Sequence, residues 1–131
     1  MGHGIRLSEI VEKMDLKCLN PEVDTIEKEV NVPDINRPAL QLAGFFDHFD
    51  SSRVQIIGNV EYKYVQTLSH ERRMEIFNKL LDNPIPCFVF CRDIEPEKEF
   101  LDIATTNGIP VYRTAKQTSD FTAEVIRWMN V

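Results

Sequence analysis

IPCFVFCRDIEPEKEFLDIATTNGIPVYRTAKQTSDFTAEVIRWM, residues 85–129, decides the fold class. Cys87-Phe88-Val89-Phe90 is an unbroken apolar run, the pattern of a strand covered on both faces. Pro96 opens a helix that turns Phe100, Ile103 and Ala104 inward, and Asn107-Gly108 stops it. Pro110-Val111-Tyr112 reads as a second short strand, with Pro110 tolerable only at its start or at a sheet edge. Ser119 is positioned to cap a last helix, whose Phe121, Val125, Trp128 and Met129 share one stripe. Helices alternating with strands predict parallel pairing through right-handed crossovers.

Upstream, Ser69 can cap a helix with Met74, Phe77, Leu80 and Leu81 on one face, closed by Asn83-Pro84. Val54 to Ile57 is a buried strand of the same sheet that ends at Gly58-Asn59, and a short helix follows over 61–67. Before it, Pro38 fits a first helical turn, Leu40 to Ala43 continue the turn, and Gly44 stops it. Leu7, Ile10, Val11 and Met14 mark one face of an opening helix, with Ser8 as its cap. Leu16 to Leu19 is a short extended stretch, and residues 27–32 read as a half-exposed strand. The expectation is one α/β layered domain over 1–131, with a mostly parallel central sheet flanked by helices. The first 32 residues supply an antiparallel strand pair.

Composition narrows the function classes. Of 131 residues, 43% are hydrophobic, with 5 Gly and 7 Pro, which is core-forming material and not linker or low-complexity chain. Fifteen basic against 21 acidic residues give a net charge of −6, which argues against nucleic acid as a partner. The longest apolar run, 85–91, is far short of the roughly 20 residues of a membrane span, and no secretory leader is visible. Cys87 and Cys91 are four residues apart on a strand, about 13 Å, too far for a disulfide. Buried reduced thiols of a cytoplasmic protein are expected.

Familiar site chemistry is missing. There is no phosphate-cradling G-x-x-x-x-G-K-[ST], no G-x-G-x-x-G, no G-x-S-x-G and no H-E-x-x-H. His3, His48 and His70 have no metal-ligand spacing. The apolar run around Cys87 and Cys91 would raise their pKa, against a nucleophile's role. Glu95, Glu97, Glu99 and Asp102 flank a helix start, where acids suit the dipole. The reading assigns no catalytic, cofactor-binding or metal-binding residue.

The block PDINRPALQLAGFFDHFDSSRVQIIGNVE (33–61) resembles the signature region of the N-terminal domain of HPr kinase/phosphorylase. The matching positions are Asp34, Ile35, Arg37, Pro38, Leu40, Leu42, Ala43, Gly44, Phe45 and Phe46, then Arg53 to Gly58, and Glu61. PCFVFCRDIEP (86–96), NGIPVYRT (107–114), the Thr118-Ser119 region and IRLSEIVEKMDLKCL (5–19) also match. Ala39 stands where a glycine is usual, and Asn59-Val60 replaces the customary Lys-Thr. The resemblance implies a fold like that of the Mur ligase N-terminal domain. It further implies a following P-loop kinase domain, absent from this chain, that phosphorylates HPr with ATP and magnesium and removes the phosphate by phosphorolysis. Hexameric assembly and response to fructose bisphosphate are implied in the same way. The expected role is a non-catalytic regulatory or assembly domain in bacterial carbon catabolite control. A stand-alone effector-binding module of the same fold is the alternative. The stop at Val131, just after an amphipathic helix and with no polar tail, reads as the edge of an excised domain.

Two surfaces carry the remaining expectations. Open parallel sheets bind ligands beyond the carboxyl ends of their strands. That places Asn59, Arg92, Arg113, Thr114, Thr118 and Ser119 on one rim, suited to a small anion or phosphate-bearing effector. The competing reading pairs the two arginines with Asp93, Glu95 or Asp120, or turns them to a partner domain. Arg37, Pro38, Phe45, Phe46 and Phe49 form a candidate partner surface, with core packing as the competing use of the rings.

Overall fold

The computed structural model describes residues 4–131, and His3 lies outside the described residues. Thirteen elements follow in order: β1 (Ile5–Arg6), α1 (Leu7–Lys13), β2 (Lys17–Cys18), β3 (Glu29–Val30), β4 (Ile35–Asn36), α2 (Ala39–Leu42), β5 (Val54–Ile57), α3 (Asn59–Gln66), α4 (His70–Leu80), β6 (Phe88–Phe90), α5 (Lys98–Thr106), β7 (Val111–Arg113) and α6 (Thr118–Met129). Five strands form one sheet in the order β2-β7-β6-β5-β4. The four strands from β7 to β4 are parallel, and β2 closes one edge antiparallel to β7. β1 and β3 form a separate antiparallel pair; of the two extended stretches read in the first 32 residues, 27–32 supplies β3, but 16–19 supplies β2 and joins the main sheet, so β3 pairs with the unread β1.

Strand alternation sends successive side chains to opposite faces and so divides the core. Val54, Ile56, Cys87, Val89, Cys91 and Tyr112 face one layer, where Leu7 and Ile10 of α1 and Phe121 and Val125 of α6 cover them. Ile57, Phe88, Phe90 and Val111 face the other, under Val65 of α3, Phe77 and Leu80 of α4, and Phe100 and Ala104 of α5. The continuous apolar run at 87–91 is therefore required by burial on both sides.

Several local expectations shift. Ser69 does cap α4, its hydroxyl accepting from the Arg72 amide at 3.1 Å. Ser8 and Ser119 do not cap; Arg6 and Gln117 hold those positions. The chain enters α1 from the β1–β3 pair, where the Leu7 amide bonds Lys28 at 3.0 Å, so the helix starts one residue before Ser8. At α6, the helix begins at Thr118, and Ser119 lies inside its first turn. Pro96 precedes α5 by two residues, with Glu97 at the cap, and Pro38 is the cap of α2. Gly44 does end the α2 turn, at φ +100°, a conformation that favours glycine.

One buried polar residue ties the antiparallel edge to the rest. Asn20 is almost fully buried, donates to the Ile109 carbonyl at 2.9 Å and to Thr105 Oγ1 at 3.2 Å, and accepts from the Val111 amide at 2.9 Å. Asn20→Ala would orphan a buried amide and a buried carbonyl, so a loss of about 2 kcal/mol is expected in urea unfolding. A loss below about 0.5 kcal/mol would mean those groups find other partners.

Candidate functional site

The carboxyl ends of β4, β5, β6 and β7 open on one rim. β5 ends at Ile57, and Gly58 follows it as the cap of α3. Three residues on, Glu61 folds back and its Oε1 accepts from the Gly58 amide at 2.9 Å. Arg37, just beyond β4, closes the arrangement with a two-pronged bond: Nε to Glu61 Oε2 at 2.8 Å and Nη2 to Oε1 at 2.7 Å. The Glu61 side chain is 2% exposed and that of Arg37 is 40% exposed. Two charged members of the signature block are thus engaged with each other. The fork geometry makes this one of the stronger kinds of polar contact.

α6 reaches the same point from the other face. A Cβ added to Gly58 would lie 2.6 Å from Thr118 Oγ1 and 2.9 Å from Arg37 Nη2. The glycine is needed for close approach, since its φ of −115° is open to any residue. Gly58→Ala is expected to cost about 2 kcal/mol by overpacking, and Thr118→Ala should relieve most of that. Additive losses in the double variant, measured by thermal unfolding, would show that the clash does not decide the cost.

Beneath Thr118 lies Cys91. Burial pushes its thiol up to about 11, although the Thr118 hydroxyl and Arg37 pull the other way. Burial alone pushes Cys87 up to about 12. Neither is poised as a nucleophile, in line with their apolar setting. Both thiols are neutral when folded and would ionise near pH 9 when unfolded, so the unfolded state loses protons first. Their contribution is complete below pH 9 and is lost as pH rises toward 11 and 12. Stability should therefore fall steadily above pH 9. At pH 8, a thiol reagent should label the exposed Cys18 quickly and the two buried cysteines only on unfolding. Fast labelling of two or more would contradict the burial.

The rest of the rim divides by charge. Arg92 and Asp93 follow β6 with φ of +60° and +55°, and their amides bond Lys116 and Thr114 carbonyls at 2.9 Å each. Those two bonds hold a turn that L-residues otherwise avoid. Arg113 is engaged by Asp93 and Glu95, the competing reading left open above. Arg92 is exposed and has no carboxylate partner among the described residues. Thr114 is buried, its Oγ1 accepting from the Lys116 amide at 3.3 Å, while Ser119 is exposed and Asn59 half-exposed. Gly58, Arg37, Cys91 and Thr118 come together, with the Arg92 turn tied to Lys116 beside them. Spacing did not reveal the role of Glu61; its position three residues after a helix cap is the signal that could have found it.

The second surface also divides. Pro38 is buried, and Phe46 and Phe49 pack edge to face at 5.9 Å against the α4 side of the core. The Lys79 ammonium sits 4.7 Å from the Phe46 ring centre. Phe45 is half-exposed, and Leu40, Val60 and Tyr64 of α2 and α3 are exposed too. Among the described residues no group of three His, Cys, Asp or Glu side chains is placed to hold a metal, and Glu61 is committed to Arg37. No helix of the described residues is long and apolar enough to cross a membrane.

Comparison with known proteins agrees with the signature. A family described as "HPr Serine kinase N terminus" matches residues 5–129. An HPr kinase/phosphorylase of Lachnoclostridium phytofermentans is 50% identical over 129 residues, 98% of this chain and 42% of its own length. One from Caldicellulosiruptor bescii is 36% identical over 88% of this chain and 37% of its own length. The chain spans about two fifths of the length of the curated relatives it matches. In fold it is similar to the CBS and DRTGG regulatory region of a Clostridium perfringens pyrophosphatase, with a TM-score of 0.63 at 16% identity, over 92% of this chain and 45% of that one. Arg37 lies far from Gly58 and Glu61 in the block 33–61, yet the three meet in one arrangement, and the chain belongs to the family of HPr serine kinase N-terminal domains.

Proposed function

We propose that this chain is a non-catalytic regulatory and assembly domain of an HPr kinase/phosphorylase, acting beside a kinase domain that carries the ATP, magnesium and HPr chemistry. The observation that carries this reading is the commitment of Arg37 and Glu61 to each other and to the Gly58 amide. Arg37 and Glu61 hold each other and the Gly58 amide, so in this reading neither carries a phosphoryl-transfer step. The exposed rings of Phe45 and Tyr64 with Leu40 and Val60 give α2 and α3 an apolar face. In this reading that face meets the kinase domain or a second subunit of a hexamer. The cytoplasm, where HPr and its kinase would meet, is the matching compartment.

The rim supplies the regulatory half. Arg92, the exposed side of Arg37 and the first turn of α6 at Thr118 and Ser119 offer donors to a phosphate-bearing effector of the fructose bisphosphate type. That a phosphate-rich activator is bound by the regulatory region of the structurally similar pyrophosphatase is consistent with such a role for the fold. Incubating the chain with ATP, magnesium and HPr should give no phosphoserine; turnover above background overturns the non-catalytic assignment. Titration with fructose 1,6-bisphosphate and inorganic phosphate should give saturable heat that Arg92→Ala weakens at least fivefold. The absence of heat with either anion removes the effector rim.

A further inference from the structure

Two exposed apolar surfaces lie at opposite ends of the sheet, and the unpaired charges beside them are of opposite sign. The first is the loop between β2 and β3. It leaves the sheet at the amino end of β7, where the Leu19 amide bonds the Val111 carbonyl at 2.9 Å and Asn20 donates to the Ile109 carbonyl. It returns past the amino ends of the other strands, where Lys28, Glu29 and Asn31 border an open cleft with Ser52, Pro86 and Gly108. Within the loop Ile26 is 75% exposed. The Asp24 carboxylate accepts from the Ile26 amide at 3.1 Å, and the Lys28 amide bonds the Thr25 carbonyl at 3.1 Å. These bonds hold the isoleucine in water at a fixed place. Glu22, Asp24 and Glu27 around it are exposed and have no basic partner among the described residues.

The second surface is the α2–α3 face, beyond the carboxyl ends of β4 and β5, where Leu40, Phe45, Val60 and Tyr64 are exposed. Lys63 stands one helical turn from Val60 on the same side of α3. It has no carboxylate partner among the described residues, and the exposed side of Arg37 adds positive charge where it meets Glu61 of α3. We infer that the β2–β3 loop of one copy docks on the α2–α3 face of the next, with Ile26 set among Leu40, Val60 and Tyr64 and with Lys63 facing the loop carboxylates. Burial of these side chains supplies the attraction, and the charges fix the orientation. The inference rests on the reading that the α2–α3 face meets a second subunit, and it adds which part of that subunit arrives there. Two different surfaces at opposite ends make a head-to-tail contact, which grows until a ring closes, whereas a face that met its own copy would stop at a dimer.

Sedimentation equilibrium of the chain from micromolar to millimolar concentration should show a mass that rises past that of a dimer. Ile26→Asp and Val60→Glu alter side chains that are 75% and 69% exposed, so both variants should keep the fold by circular dichroism. Each alone should remain a monomer. Mixed in equal amounts they should form a dimer and go no further, because the first retains an intact face and the second an intact loop. Lys63→Glu should weaken association at least fivefold; an unchanged affinity overturns the docking orientation. A parent chain that stays monomeric at millimolar concentration overturns the inference and leaves the face to the kinase domain. If Val60→Glu abolishes association but the mixture does not restore it, the face meets a second subunit and the loop does not, which sinks this inference while that reading stands.

Discussion

Phe100→Ala is expected to destabilise the domain by about 4 kcal/mol, the range for removing a large buried ring. Phe100 is 4% exposed and meets three other rings edge to face: Phe77 at 5.3 Å, Phe88 at 5.1 Å and Phe90 at 5.3 Å. It is the point at which α4 and α5 are both joined to β6. Truncation removes the hydrophobic transfer energy and three aromatic contacts together. The neighbouring rings belong to a strand and a helix fixed elsewhere, so the void cannot fully collapse. Phe100→Leu keeps most of the volume and should cost about 1–2 kcal/mol. Urea unfolding at constant m-value checks both. A loss under about 1.5 kcal/mol for the alanine variant would mean that α5 repacks, and that the aromatic centre is not what holds this layer.

The same ring shows how much could be read from the chain. Phe100 was placed inward by spacing alone, because a nine-residue helix with Phe100 and Ala104 inside leaves little choice of face. Runs buried on both sides, such as Val54 to Ile57, were equally legible, since a polar residue there would need a special partner. Gln55 is that case, its side chain bonded to Arg53 and Asn36. What escaped were β1 and β4, two residues each, too short to show a period. The misplaced caps at Ser8 and Ser119 have a tertiary cause: each helix start is set by what the preceding segment is tied to. The rim was legible as a location because strands end where apolar runs end. Its internal pairing was not, because Arg37 and Glu61 are 24 residues apart and neither carries a mark of the other. Arg113 stood between an effector and nearby acids on sequence grounds, and its pairing with Asp93 and Glu95 is a matter of a turn that spacing does not encode.

Arg37→Ala is expected to cost about 3 kcal/mol, because it leaves a carboxylate that is 2% exposed with the Gly58 amide as its remaining partner. For a domain of this length that corresponds to a fall of roughly 10 °C in Tm. The loss comes from stranding Glu61, so it should be partly reversed by removing the charge as well. Arg37→Ala with Glu61→Gln should be more stable than Arg37→Ala alone by about 1 kcal/mol or more, a coupling typical of contacting pairs. Arg37→Lys supplies a point charge without the fork and should recover less than half of the loss. The position also matters beyond stability. Gly58, Thr118 and the start of α3 are all positioned against the guanidinium, so loosening it should blur the rim even in the fraction that remains folded. If Arg37→Ala unfolds at the same temperature as the parent chain, the pairing is not a lock, and the charged residues of the signature would have to be explained by something that docks on them.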